Sequence, residues 1–103
     1  MTPISNIEQI EKLKTDQKLV RCWLGNIEYY RFLYFHPRNR NYVILLDHCE
    51  QPVRFHVNEL ISYFFTNYST KDILNHQIEY FRNKLNQVER RLSEIDSKEN
   101  LEE

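Results

Sequence analysis

Five side chains that could ligate zinc fall between residues 22 and 56, namely Cys22, His36, His48, Cys49 and His56. Structural zinc sites usually take their ligands in pairs separated by two to four residues, and this set contains no such pair. The adjacent residues His48 and Cys49 would point in opposite directions on an extended chain. We therefore expect no metal site and no cofactor, with free cysteines in the core and histidines at the surface.

A cysteine nucleophile needs a base and an orienting group, and only the segment around Cys49 offers this combination. Cys49 is preceded by His48 and followed by Glu50. One loop rarely forms a pocket, however, and a chain whose only glycine is Gly25 has few ways to build an oxyanion site. The same scarcity excludes a glycine-rich phosphate loop. We predict that the protein is not an enzyme.

Arginines and tyrosines in the middle of the chain could bind a macromolecule, because these residue types dominate interface hot spots and also stack on nucleic-acid bases. The predicted contact residues are Tyr29, Arg31, Arg38, Arg40, Tyr42 and Arg54. Residues 18–56 contain six basic and three acidic residues. This excess is small for a nucleic-acid-binding domain, so we favour a protein partner and keep nucleic acid as the alternative.

The most specific pattern is an apolar heptad repeat near the C-terminus. Its members are spaced alternately four and three residues apart: Leu74, Ile78, Phe81, Leu85, Val88, Leu92 and Ile95. We call these seven residues the seam. An apolar period of 3.5 residues winds helices around one another, so the seam predicts a helix that oligomerises as in a coiled coil.

Charged residues beside the seam indicate the orientation of that pairing. With Leu85 at heptad position a, Lys84 at position g faces the partner's Glu89 in a parallel pair, and Arg91 likewise faces the partner's Asp96. Both contacts are attractive. An antiparallel pair would instead bring Lys84 and Arg91 together, so the charges favour a parallel homodimer.

Two alternatives stay open for the seam. A stripe of this kind can also pack on the helix's own domain, and the first turns, with Leu74 and Phe81 beside Ile73 and Tyr80, are the part closest to it. In addition, mixed Ile and Leu at position a with Phe81 at position d departs from the usual dimer pattern, so the number of copies is not fixed.

Four strands are predicted ahead of the seam. Alternating apolar residues and turn signals place them at 19–24, 28–36, 42–47 and 53–57. Gly25-Asn26 is a typical turn dipeptide between the first two. Short connections imply an antiparallel meander, which could curl and close as an SH3-like barrel.

Helix-start signals flank these strands. Ser5-x-x-Glu8 matches a capping box and predicts a short helix over about 6–15. Asn58 is expected to cap a covering helix that ends at Asn67. Ser69-x-x-Asp72 then predicts the start of the long helix that carries the seam.

Length and composition agree with one folded unit: the 103 residues are 28% charged and 41% hydrophobic. We expect an α+β domain over residues 1–68, an oligomerising helix of the same structural unit over 69–98 and a frayed tail over 99–103. No membrane-spanning run and no signal peptide are recognisable, so a cytoplasmic location is predicted. These features predict a small regulator or adaptor that dimerises through its C-terminal helix.

Overall fold

A six-stranded antiparallel sheet organises the part of the chain that the computed structural model describes, which is residues 1–102 for the backbone and 1–97 for the side chains. In chain order the elements are β1 (Thr2–Pro3), α1 (Ile7–Glu11), β2 (Lys18–Trp23), β3 (Asn26–Phe35), β4 (Tyr42–Leu46), β5 (Pro52–His56), α2 (Val57–Tyr63), β6 (Phe64–Thr66) and α3 (Thr70–Glu102). The sheet order is β1-β6-β2-β3-β4-β5. The predicted α+β class with a long C-terminal helix is confirmed.

The predicted number of strands and the barrel are wrong. Strands β2 to β5 occupy the four predicted positions, but β6 pairs with β2 and β1 pairs with β6, which makes six strands among the described residues. The sheet is open, because β5 leads into α2 and does not pair with the strand at the opposite edge. Strands of two and three residues are too short to show a period of two, and for this reason the sequence did not reveal them.

The two short helices differ from their predicted bounds. Helix α1 is capped by Asn6 and Gln9 rather than by Ser5 and Glu8, and it ends at Glu11 instead of near residue 15. Helix α2 is capped by His56, whose Nδ1 atom accepts a hydrogen bond from the Asn58 amide at 3.1 Å. It ends four residues before the predicted Asn67, because the chain turns extended at Phe64 to form β6.

Helices α1 and α2 cover one face of the sheet, which we call the covered face. Its central rings are those of Tyr30, Phe55 and Phe64, with centroids 5.2–5.5 Å apart. The buried residues around them are Ile4, Ile10, Leu19, Phe32, Val43, Leu45, Val57 and Leu60. This continuous apolar cluster is the main core, and its burial supplies most of the stabilisation of the fold.

Helix α3 starts on the opposite face of the sheet. Ile73, which is only 4% exposed, packs with Val20 and Cys22 of β2 in a second and smaller cluster. From there α3 runs past the turn between β2 and β3, and the chain measures 66 Å along its longest axis. The backbone of α3 is helical to Glu102, and residue 103 and the side chains after residue 97 lie outside the described residues, so the predicted frayed tail over residues 99–103 stays a prediction.

The turn between β2 and β3 lies one residue earlier than predicted. Leu24 and Gly25 form it, with φ angles of 49° and 82°, and Trp23 pairs with Asn26 at the ends of the strands. Positive φ at both central residues is typical of the tight turn that suits the twist of a hairpin. We call Leu24 and Gly25 the hairpin tip.

Candidate interaction surfaces

The seam lies at the surface of α3 along its whole length. Each of its seven residues exposes 51–57% of its area. The stripe is about 30 Å long at 1.5 Å per helical residue. Its first part borders a shallow groove of about 520 Å³ lined by Leu74, Gln77, Ile78, Phe81, Arg82 and Leu85. Single exposed apolar residues are ordinary, but a continuous stripe of this length marks an interaction surface.

The charged residues beside the seam are available to another molecule. Among the described residues, Lys84, Glu89, Arg91 and Asp96 form no ion pair with one another or with the sheet. Lys84 only places its ammonium group 5.8 Å from the centre of the Tyr80 ring. Their pairing with the charges of a second copy stays a prediction.

The hairpin tip fixes the direction in which α3 leaves the sheet. The side-chain amide of Gln77 donates a hydrogen bond to the carbonyl oxygen of Gly25 at 3.1 Å. The rings of Tyr80 and Phe81 lie so close to Gly25 that a Cβ atom there would come within 2.6 Å of Phe81 Cζ and 3.0 Å of Tyr80 Cδ1. Glycine is needed at this position both for its positive φ and for this close approach.

The second candidate surface is the sheet face opposite the covered face, over β3, β4 and β5. Side chains of paired residues share a face, so the register brings together Tyr29, Arg31, Tyr34, Tyr42, Ile44, Leu46, Arg54 and His56. We call this set the open face. Tyr29 and Tyr34 are 47% and 54% exposed. The Arg54 guanidinium lies 4.8 Å from the centre of the Tyr42 ring, which contacts the His56 ring edge-to-face.

The structure divides the six predicted contact residues into two groups. Tyr29, Arg31, Tyr42 and Arg54 all belong to the open face. Arg38 and Arg40 lie in the exposed loop after β3, and the Arg40 guanidinium stacks 4.5 Å from the Phe35 ring. Phe35 pairs with Val43 of the core, so Arg40 lies towards the covered face. The loop and the strands therefore do not form the single patch that the sequence suggested.

The six predicted contact residues did not include Tyr34 or His56. A β-bulge between Phe32 and Tyr34 shifts the alternation of β3, so that Tyr34 instead of Leu33 pairs with Ile44 on the open face. His56 pairs with Tyr42 at the end of β5. Its side was predictable from the alternation with Arg54, whereas the bulge leaves no local sequence signal.

Carboxylates balance the positive charge at one end of the open face. The Arg31 guanidinium lies 3.2 Å from Glu50 and 3.8 Å from Asp16. A shallow cavity of about 350 Å³ begins here, and Tyr29 and Tyr68 line its other side with ring centroids 6.0 Å apart. Burial, and to a lesser degree the neighbouring Tyr29, raise the pKa of Tyr68. This end offers aromatic and apolar surface rather than a strong positive field.

The two cysteines have different surroundings. Cys22 is buried in the smaller cluster, and burial raises the pKa of its thiol. Cys49 is exposed in the turn after β4, so its predicted place in the core is wrong. In this turn the side chain of Asp47 accepts hydrogen bonds from the amides of Cys49 and Gln51. His48 and Glu50 line the cavity beside Arg31, but Cys49 does not.

No group of three or more His, Cys, Asp or Glu side chains in the described part of the chain is placed to hold a metal ion. Within the same residues, no helix is both long enough and apolar enough to cross a bilayer. No protein-family model, no curated protein and no solved structure matches this chain.

Proposed function

We propose that this chain is a small non-enzymatic regulator or adaptor that forms a parallel homodimer through the seam and binds a protein partner through the open face. The main support for the proposed dimer is that all seven seam residues are exposed, on a helix that extends beyond its own sheet. Covering this stripe would remove a large apolar area from water.

A second copy is the occupant that the charges favour. In a parallel pair, Lys84 meets the partner's Glu89 and Arg91 meets the partner's Asp96, and symmetry makes each contact twice. Parallel pairing also puts both sheets at the same end of the paired helices. Two open faces held near one another could bind a repetitive or dimeric partner much more tightly than one face alone.

A protein partner suits the composition of the open face. Exposed tyrosines and an arginine around Ile44 and Leu46 resemble the mixture of aromatic, apolar and charged groups at interface hot spots. Arg31 is already paired with Glu50 and Asp16, which lowers its value for binding phosphate. We include a cytoplasmic location in the proposal, since both cysteines are free thiols as expected in a reducing compartment.

Nucleic acid is the second candidate for the open face. Tyr29 and Tyr34 are about half exposed on the same sheet face as the Arg54–Tyr42 stack, and exposed aromatic rings on a sheet can stack bases. Phosphate contacts would make the affinity fall steeply with ionic strength. Binding of generic single-stranded DNA and RNA at two salt concentrations, with Arg54→Ala compared against Arg38→Ala, separates the candidates. Tight and salt-sensitive binding that only Arg54→Ala weakens would replace the protein partner by nucleic acid.

The dimer itself is tested by light scattering on the intact chain over a range of concentrations. Orientation is tested by introducing Ile95→Cys into a Cys49→Ser background and oxidising the protein. In a parallel pair the two introduced thiols meet at the same end of the helices, so a covalent dimer is expected. In an antiparallel pair they lie at opposite ends and do not meet. A monomer at all concentrations would overturn the proposed dimer.

A further inference from the structure

Leu24 is an unusual residue for its place in the fold. It sits at the first central position of the β2–β3 turn with φ 49°, a conformation that brings the Cβ atom of most residues too close to the following carbonyl oxygen and that suits asparagine or glycine. It is also 63% exposed, more than any seam residue. A leucine here is therefore unfavourable for the isolated chain in both its backbone conformation and its contact with water.

The hairpin tip lies directly beside the seam. Gln77 and Phe81 both contact Gly25, and they occupy heptad positions g and d on the same side of α3. Leu24 is the next residue along the tip. Because Leu24 is exposed and adjoins Gly25, it lies next to the flank of α3 that carries the g positions.

The same flank faces the other copy in a parallel pair. A residue at position g faces position e of the partner five residues further along, which places Gln77 opposite the partner's Arg82. Of the three g–e contacts along the seam, this one is the nearest to the sheet, and it is the one that is not a pair of opposite charges. Gln77 instead holds the hairpin tip with its side-chain amide.

We propose that the hairpin tip belongs to the dimer interface, where Leu24 packs against α3 of the second copy beside the methylene groups of the partner's Arg82. An arginine can cover apolar surface with its stem while its guanidinium stays in water. The inference rests on the proposed parallel dimer. With the seam alone, the dimer interface would consist only of the two helices. The Leu24 contact adds a residue of the sheet to this interface, and it fixes how the two sheets are placed around the paired helices.

Leu24→Asn separates the effect of Leu24 on the turn from its effect on the dimer. Asparagine before Gly25 is the preferred sequence for this turn, so the hairpin of the variant should form at least as well as that of the wild type. Loss of two leucine side chains that are each partly covered in the dimer should nevertheless raise the dissociation constant on the order of tenfold to a hundredfold. Sedimentation equilibrium measures the constant, and near-ultraviolet circular dichroism of Trp23 reports the hairpin.

Leu24→Gly serves as a second variant, since it also relieves the backbone conformation and removes the side chain. Tyr34→Asn is the matched control: it places the same residue at a comparably exposed position on the open face, away from the seam, and should leave the constant within about twofold of the wild type. A dissociation constant that either Leu24 variant leaves unchanged would overturn the inference and leave the dimer itself intact.

A direct measurement uses mixed dimers of isotope-labelled and unlabelled chains. Nuclear Overhauser effects from the Leu24 methyl groups of one copy to the Arg82 side chain of the other are expected. Their absence in a sample that sedimentation shows to be dimeric would overturn the inference. A wild-type protein that is monomeric throughout would instead overturn the proposed dimer, so the two failures are distinguishable.

Discussion

Ser69 and Asp72 cap each other at the start of α3. The amide of Asp72 donates a hydrogen bond to Ser69 Oγ at 3.1 Å, and the amide of Ser69 donates one to Asp72 Oδ2, also at 3.1 Å. The amino group of Met1 lies 3.2 Å from the same carboxylate oxygen. The Ser69 amide and then the Met1 ammonium group hold the pKa of Asp72 below its ordinary value.

The Asp72 carboxylate should make stability sensitive to acid. A carboxylate whose pKa is lower in the folded state stabilises the fold above its unfolded pKa, and this contribution is lost as the pH falls through the folded pKa. The wild type should therefore be more stable than Asp72→Asn at pH 7, and the difference should shrink as the pH falls below about 4. Urea unfolding at several pH values measures it; parallel curves for the two proteins would contradict the assignment.

The two capping boxes show what local sequence signals can and cannot predict about the start of a helix. Ser69-x-x-Asp72 was predicted from the sequence and is present. At the N-terminus two overlapping frames, Ser5-x-x-Glu8 and Asn6-x-x-Gln9, both fit the motif, and the structure uses the second. Sequence alone could not choose between them, because the choice depends on how Ile10 reaches the core from the first turn.

Contacts between distant segments account for most of what the sequence did not reveal. The seam was visible as a local period, and its exposure follows from α3 extending beyond the sheet. The contact of Gln77 with Gly25 joins residues 52 positions apart, and neither residue type signals it. Similarly, Phe64 and Phe65 continue the apolar face of α2 in the sequence, but pairing with β2 draws them into a strand.

Phe64 should be among the residues most important for stability. It is 1% exposed and contacts the rings of Tyr30 and Phe55 in the main core. Phe64→Ala should lower the free energy of unfolding by about 3–5 kcal/mol. Phe65→Ala is the matched control, because this neighbour is only partly buried and lies on the other face of the sheet. Equal losses for the two variants would contradict the placement of β6.

Tyr30 should make the fold sensitive to alkali. Burial, and then a 2.6 Å hydrogen bond that its hydroxyl donates to Glu28, raise the pKa of Tyr30 to about 12. A group with a raised folded pKa gives stability that is fully present below the unfolded pKa, about 10, and is lost as the pH rises through the folded pKa. The free energy of unfolding should therefore fall between about pH 10 and 12.

Tyr30→Phe should lose this part of the alkaline decline, because phenylalanine has no ionisable hydroxyl. Tyr34→Phe, on the open face, should keep it. Denaturant unfolding at a series of alkaline pH values compares the three proteins. If Tyr30→Phe declines as steeply as the wild type over this range, another group is responsible.

Charge reversal beside the seam should reveal the pairing in solution. In the proposed parallel dimer, Lys84→Glu places two acidic residues opposite each other at each of two symmetric contacts. A single exposed pair is worth about 0.2–1 kcal/mol, so the dissociation constant should rise roughly twofold to thirtyfold, and less at high salt. Adding Glu89→Lys should restore it, because the opposite charges then meet in reversed order.

The matched control adds Glu94→Lys to Lys84→Glu instead. This double variant has the same net charge as the one with Glu89→Lys. Residue 94 occupies an outward heptad position, however, so the dimer of the control should stay as weak as that of Lys84→Glu alone. Equal rescue by both second substitutions would mean that net charge controls association. Failure of Glu89→Lys to rescue would exclude the parallel register, because only that register brings position 84 of one copy next to position 89 of the other.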